Sequence, residues 1–247
     1  MQVANGVEML EIAAVIMGKA DVIYPVLIWD EETAILVDTG YPGQLALFRE
    51  AMAKSGVPFE RLNKVILTHQ DVDHIGGLPA MLNALPQGAL VLASELEKPF
   101  IQGEKRLLKI TPETIEQALA SLPAEVPAER RQAFRAVLEN PPKAKVDQTV
   151  ADGEELPYCG GMTVVITPGH TPGHVCLYHR RSKTLIAGDA LQVVDGQLVG
   201  PDPRATLDMA AAMASLKKLT QYEIEAVICY HSGLFRGDAT ARIADLA

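Results

Sequence analysis

The chain has 247 residues, 48% hydrophobic and 21% charged, which suits a folded globular protein with a full core. Its net charge of -9 excludes a nucleic-acid backbone as partner, because phosphate binding needs clustered Lys and Arg. No apolar run reaches the length of a membrane span, and the first ten residues carry Glu8 and no basic leader, so the expected location is the cytoplasm.

The first third reads as antiparallel strands of a meander, with apolar and β-branched runs at 9–17, 22–29 and 33–37, the last ending in Asp38-Thr39-Gly40. Residues 44–55 have helical spacing, with Leu45, Phe48 and Met52 on one face and Gly56 as the stop. A strand at 61–67 then delivers Thr68-His69-Gln70-Asp71-Val72-Asp73-His74-Ile75-Gly76-Gly77, followed by a helix-like stretch at 78–85 and a strand at 89–93. Residues 98–145 change character: Thr111 caps a helix with Pro112 at its first position, and a second helix spans 127–140. This helical stretch is either a surface insertion or a lid over a site.

Strands resume at 148, with Asp152-Gly153 as a hairpin-type turn. A strand at 162–166 runs into Thr167-Pro168-Gly169-His170-Thr171-Pro172-Gly173-His174, whose Pro and Gly residues fix a tight loop. Strands at 175–178 and 184–187 flank a turn at Arg181-Ser182-Lys183, and the second ends in Gly188-Asp189. Thr206 caps a helix reaching Leu219, the last strand is 226–229 and leads to Tyr230-His231, and a helix at 238–246 closes the chain. Cys159, Cys176 and Cys229 lack CxxC spacing and read as buried reduced thiols. His179 beside Arg180-Arg181 reads as solvated surface, and Ser232 as loop chemistry.

A single Asp after a strand is most often a turn former, and a lone His a satisfied polar group. Between His69 and His74 that reading fails, because a turn has no use for two His and two Asp together. Imidazole and carboxylate in one cluster suit a transition metal. Asp38, His69 to His74, His170, Asp189 and His231 each follow a predicted strand, and strand ends on one sheet edge converge although far apart in sequence.

The order Val-Asp38-Thr-Gly, His69-x-Asp71-x-Asp73-His74, Pro-Gly-His170-Thr-Pro-Gly-His174, Gly-Asp189 and His231 resembles the metallo-β-lactamase superfamily over residues 38–231. The resemblance implies an α+β fold: an αββα sandwich of two packed mixed β-sheets with helices on both outer faces. It implies a single domain of 1–247 with the helical insertion at about 98–145. It further implies two divalent metal ions, one held by His69, Asp71 and His170, the other by Asp73, His74 and His231, with Asp189 between them. Asp38 would sit beneath the site and orient it, and His174 would be structural.

The sequence departs from the family's usual His-x-His-x-Asp-His at Asp71, which alternation still points to the side of His69. Two divalent ions, three carboxylates and one hydroxide then sum to about zero. Zinc is the expected metal, but the extra carboxylate predicts tolerance of iron or manganese and weaker attraction for dianionic phosphates. The implied activity is cleavage of an ester or lactone of a small molecule, acyl-homoserine lactone among the candidates, by a metal-bridging hydroxide that hydrogen-bonds the catalytic Asp73. The alternatives are phosphodiester, phosphotriester or thioester hydrolysis on the same site, a di-iron redox enzyme, or a non-catalytic metal-dependent sensor. Many lactonases of similar layout carry a tyrosine three residues after the bridging aspartate, where this chain has Gln192; Tyr41 or Tyr230 could substitute. Phe100 and Phe134 of the helical stretch are further candidate substrate contacts. The expected partner is a small-molecule substrate, with neither nucleic acid nor membrane, and a homodimer is compatible with the sequence.

Overall fold

The computed structural model describes residues 1–16 and 18–247. The chain opens with β1 (Gln2–Ala4), β2 (Val7–Met9), the hairpin β3 (Ile12–Ile16) and β4 (Lys19–Ile23), then β5 (Val26–Trp29) and β6 (Ala34–Val37). The apolar run at 9–17, expected as one strand, divides between β2 and β3, and Met17 lies outside the described residues. Helix α1 (Leu45–Lys54) precedes β7 (Lys64–Ile66), and the short helix α2 (Val72–Ile75) and α3 (Leu78–Ala84) lead to β8 (Leu90–Ser94). Three helices follow, α4 (Lys98–Ile101), α5 (Pro112–Ala120) and α6 (Ala128–Glu139). The second half contains β9 (Gln148–Val150), β10 (Glu155–Leu156), β11 (Met162–Ile166), β12 (Val175–His179), β13 (Thr184–Gly188), β14 (Gln192–Val194) and β15 (Gln197–Val199). It closes with α7 (Met209–Leu219), β16 (Ala226–Cys229), β17 (Gly233–Arg236) and α8 (Ala239–Leu246).

Among the described residues, β1-β2-β5-β6-β7-β8-β9 form one sheet and β10-β11-β12-β13-β16-β17 the other. Both are mixed: β6 to β9 run parallel, as do β13 and β16, and the remaining neighbours are antiparallel. The side-chain period of two explains the layers. Ile28, Ile35, Val37, Ile66 and Leu92 of the first sheet meet Met162, Val164, Leu177, Ile186 and Ile228 of the second in a core between them. The alternate residues Leu27 and Leu36 face outward onto Phe48 and Met52 of α1 and Met81 of α3. On the opposite outer face Val165, Leu185 and Val227 pack against Leu216 and Leu219 of α7 and Ile243 of α8. Helix, sheet, sheet, helix is therefore the layer order.

Four expectations change. Asp152-Gly153 makes a turn, but it joins no hairpin: it carries the chain from β9 in one sheet to β10 in the other. Thr206 does not cap α7; Asp208 does, accepting from Ala211 N–H at 2.9 Å, two residues nearer the first helical turn. The strand at 226–229 is not the last, since β17 pairs with it antiparallel. His179 is not solvated but fully buried, with Nε2 2.9 Å from the Cys159 carbonyl and Nδ1 2.6 Å from Ser182 Oγ. The three cysteines are buried free thiols. No helix among the described residues is long and apolar enough to cross a membrane.

Candidate metal centre

The parallel strands β6 and β7 end side by side, and the site begins there. Asp38 follows β6 with φ 64°, a left-handed conformation that Asp tolerates better than most side chains. Its carboxylate is buried and accepts from Thr68 N–H and Thr68 Oγ1–H, both at 2.8 Å. Its Oδ2 also accepts from His74 Nδ1 at 2.9 Å, which fixes the tautomer and leaves His74 Nε2 aimed into the site. Asp38 thus ties the end of β7 to His74 through one buried carboxylate.

After β7 the chain is extended through Asp71 (φ -64°, ψ 147°), so His69 and Asp71 share a side. Asp71 then starts α2: its carbonyl accepts from His74 N–H at 2.9 Å and Ile75 N–H at 3.1 Å. Asp73 and His74 therefore lie side by side on one helical turn rather than on an alternating strand. Gly76 and Gly77 let this turn lie against residues 39–42: a Cβ on Gly77 would overlap the Thr39 carbonyl oxygen, and one on Gly76 would meet Pro42. Tyr230 closes the far side, its ring stacked on His74 at 3.8 Å and its hydroxyl donating to the Asp73 carbonyl at 2.6 Å.

His170 comes from the loop between β11 and β12, which closes through Thr167 N–H to the His174 carbonyl at 2.8 Å. There Gly169 leaves no room for a Cβ against Ala212 of α7. His174 is buried and accepts the Asp189 backbone N–H on Nε2 at 3.1 Å, while its Nδ1 faces Thr167 Oγ1 at 2.8 Å. Burial, with the neighbouring His69 and His170, holds His174 well below the usual imidazole range, so it is a neutral acceptor that positions Asp189.

The donor atoms gather in two sets, His69, Asp71, His170 and Asp189 in one and Asp73, His74 and His231 in the other, each within 4.8 Å internally. In the first, Asp71 Oδ2 lies 3.3 Å from His69 Nε2 and 3.1 Å from His170 Nε2. In the second, Asp73 Oδ2 lies 3.7 Å from His74 Nε2 and 3.1 Å from His231 Nε2. Asp189 Oδ2 stands between them, 3.8, 3.5, 3.2 and 3.5 Å from Nε2 of His69, His74, His170 and His231. Yet His69 Nε2, His74 Nε2 and Asp189 Oδ1 are buried without any hydrogen bond. Buried polar atoms are normally satisfied, and a convergent set of unpaired lone pairs fits divalent cations.

The charges point the same way. Burial alone would raise the carboxyls of Asp71 and Asp189, but the imidazoles of His69 and His170 around the first, and of His74 and His231 around the second, hold both well below the ordinary range. Burial would lower His231, but Asp189 and Asp73 raise it to about 10, and Asp38, Asp189 and Asp73 likewise raise His74.

A cavity of about 220 Å³ opens onto the cluster, lined by Asp71, Asp73, His170, Asp189 and His231, with Lys109, Leu191, Gln192, Asp202 and Ala205. Gln192 is thus at the cavity. Tyr41 is not in its lining but packs, partly buried, on the outer core with Phe48 and Met52, its hydroxyl raised by burial and by Asp73 and Asp21. Phe100 and Phe134 are not in its lining; Phe100 packs on the outer core with Ile101 and Leu107. The Tyr230 hydroxyl is committed to Asp73, and Ser232 Oγ accepts from Val193 N–H at 2.7 Å.

Two contributors carried no sequence signal. Lys109 Nζ reaches Asp71 Oδ2 and His170 Nε2, each at 2.6 Å. Its positive charge offsets that of the Asp71 carboxylate, an offset that the charge sum read from the sequence did not include. Glu97 is fully buried and accepts Gln70 N–H at 3.0 Å, Gln70 Nε2–H at 2.8 Å and Gly173 N–H at 2.7 Å, tying the His69–Asp71 loop to the His170 loop.

The model of the metallo-beta-lactamase superfamily matches residues 18–231. The chain belongs to that superfamily. It is 29% identical to the Bacillus subtilis protein YobT over 69% of this chain and 62% of that one, so it spans less than two thirds of that relative's length. It is 27% identical to the Bacillus subtilis "probable metallo-hydrolase" YflN, over 80% of this chain and 74% of YflN. The crystal structure of a metallo-beta-lactamase family protein of Thermus thermophilus superposes with TM-score 0.69 at 24% identity, covering 99% of this chain and 79% of that one. The likeness to that structure establishes the αββα layering of this superfamily chain.

Proposed function

We propose that this chain is a metal-dependent hydrolase acting on an ester or lactone of a small molecule. The observation that carries the reading is the convergence of seven donor side chains in two sets at one cavity, with three of their atoms buried and unpaired. His69, Asp71 and His170 would hold one ion and Asp73, His74 and His231 the other, with Asp189 serving both. Two such ions, when bound, make hydroxide available near neutral pH and polarise a substrate carbonyl. Asp38 and His174 act on the site indirectly, by fixing His74 and Asp189. The carboxylate of Asp73 lines the cavity and is a proton acceptor at its Oδ2 atom. Gln192 offers an amide to the substrate oxygen, at the position where the resemblance led to a tyrosine. The apolar walls Leu191 and Ala205 support an uncharged acyl group.

A phosphodiester is the second reading, favoured by Lys109, whose charge offsets that of Asp71 beside the cavity. The test is metal analysis of the purified protein together with turnover of a panel of lactones, esters, thioesters and phosphodiesters by wild type and Asp73→Asn. Lactone or ester turnover that is lost in Asp73→Asn supports the reading. Equal turnover by both proteins, or bound metal with no turnover of any substrate, overturns it.

A further inference from the structure

Lys109 sits where a surface lysine has no structural reason to be. Its neighbours Leu107 and Ile110 are buried, 3% and 9% exposed, in the outer core with Val65 and Leu67. Leu108 N–H donates to Gln70 Oε1 at 2.8 Å, and Gln70 is itself held by Glu97. The backbone around Lys109 is thus fastened to the loop that carries His69 and Asp71, and its side chain is directed inward, 22% exposed. The ammonium contacts Asp71 Oδ2 and His170 Nε2, and these two atoms are 3.1 Å apart.

An ammonium has three N–H donors and no lone pair. At His170 Nε2 it can only donate into the imidazole lone pair, the same electron pair that a metal ion in the first set would take. Lys109 and an ion therefore compete for His170. No lysine or arginine faces the second set among the described residues: the charged and aromatic side chains against Asp73, His74 and His231 are one another, His69, Asp189, Asp38 and Tyr230.

Resting on the two-ion reading above, we propose that Lys109 is a resident cation of the first set, so that the two sets fill unequally. The set of Asp73, His74 and His231 takes its ion first. The set of His69, Asp71 and His170 fills at higher free metal, once the ammonium has left His170. Asp71 and Lys109 then act as a pair: the lysine can stay on the carboxylate, and together they carry no net charge, as a neutral histidine would.

The test is competition titration of metal-stripped protein with Zn²⁺ against a chromophoric chelator, with bound metal counted after equilibration at fixed free Zn²⁺. Wild type is expected to bind two equivalents whose affinities differ by about ten- to a hundredfold, the ratio that a charge-assisted hydrogen bond would set. Lys109→Met should leave the tight equivalent unchanged and tighten the weak one by about the same factor. Lys109→Gln serves the same purpose with a polar side chain. His231→Ala should remove the tight equivalent and His170→Ala the weak one. Two equivalents with the same affinities in wild type and both Lys109 variants would overturn the role of Lys109 and leave the two-ion reading standing. Loss of the tight equivalent in His170→Ala would also overturn it. Absence of bound Zn²⁺ from every protein would bring down both together.

Discussion

Glu97→Gln is the sharpest probe of how the first set of donors is assembled. The amide keeps the volume but offers one carbonyl oxygen where the carboxylate offers two. Oε2 accepts both Gln70 donors and Oε1 accepts Gly173 N–H. If the amide oxygen turns toward Gln70, the new NH2 group faces Gly173 N–H and leaves that buried donor unpaired, at a cost of about 1–3 kcal/mol. Losing the charge on the two remaining bonds adds about 1 kcal/mol. The sum of about 2–4 kcal/mol corresponds, in a chain of this size, to a fall in Tm of about 4–16 °C. The assay is thermal unfolding of the metal-stripped protein followed by circular dichroism, paired with Zn²⁺ affinity of the refolded variant. Because Gln70 precedes Asp71 and Gly173 closes the loop of His170, the weaker equivalent should lose affinity along with the fold's stability. A melting curve that superimposes on that of wild type would refute the reasoning.

Asp38→Ala should lower metal affinity by about 10–100-fold through misoriented His74, whereas Asp38→Asn, which tolerates the positive φ, should lose less; equal affinities in all three proteins would remove Asp38 from the site. Asp189→Ala should abolish turnover while leaving the circular dichroism spectrum of wild type, and full turnover would sink the assignment of the shared carboxylate. His179 gives the pH test. Burial holds its pKa below the ordinary value, so its contribution to stability is complete above the unfolded pKa of about 6.5 and is lost as pH falls below that value. The loss of stability between about pH 7 and pH 5 should be smaller in His179→Gln than in wild type, and identical slopes in urea unfolding across that range would contradict it.

The site was legible in proportion to how much chemistry its residues carry by type. His69, Asp71, Asp73, His74, His170, Asp189 and His231 stand out because imidazoles and carboxylates at strand ends have few structural uses, and the structure brings all seven together. Lys109 was hidden because a lysine in a charged helical stretch looks like any solvated lysine; only the burial of Leu107 and Ile110 turns it inward. Glu97 was hidden because its partners, Gln70 and Gly173, lie in two other loops. The layer order came from the family resemblance rather than from periodicity, since β5, β6 and β11 are buried on both faces and show no polar alternation. Strands such as β14, β15 and β17 escaped because so few residues show no period, and their pairing is set by neighbours rather than by their own composition. His179 was misread because an adjacent Arg180-Arg181 suggests water, whereas β12 is buried to its last residue.

Gly76 and Gly77 bear on how portable such a centre is. The turn that holds Asp73 and His74 rests directly on backbone 39–42, with His74 O accepting Thr39 N–H at 2.7 Å and Gly40 O accepting Gly77 N–H at 3.1 Å. That same stretch begins at Asp38, which aligns His74. The donor loop and its support are therefore one mechanical part, although they come from separate segments of the chain. A designer who transplanted residues 69–77 alone into another scaffold would carry the letters of the site without its alignment; the smallest graft that keeps both includes the turn after β6.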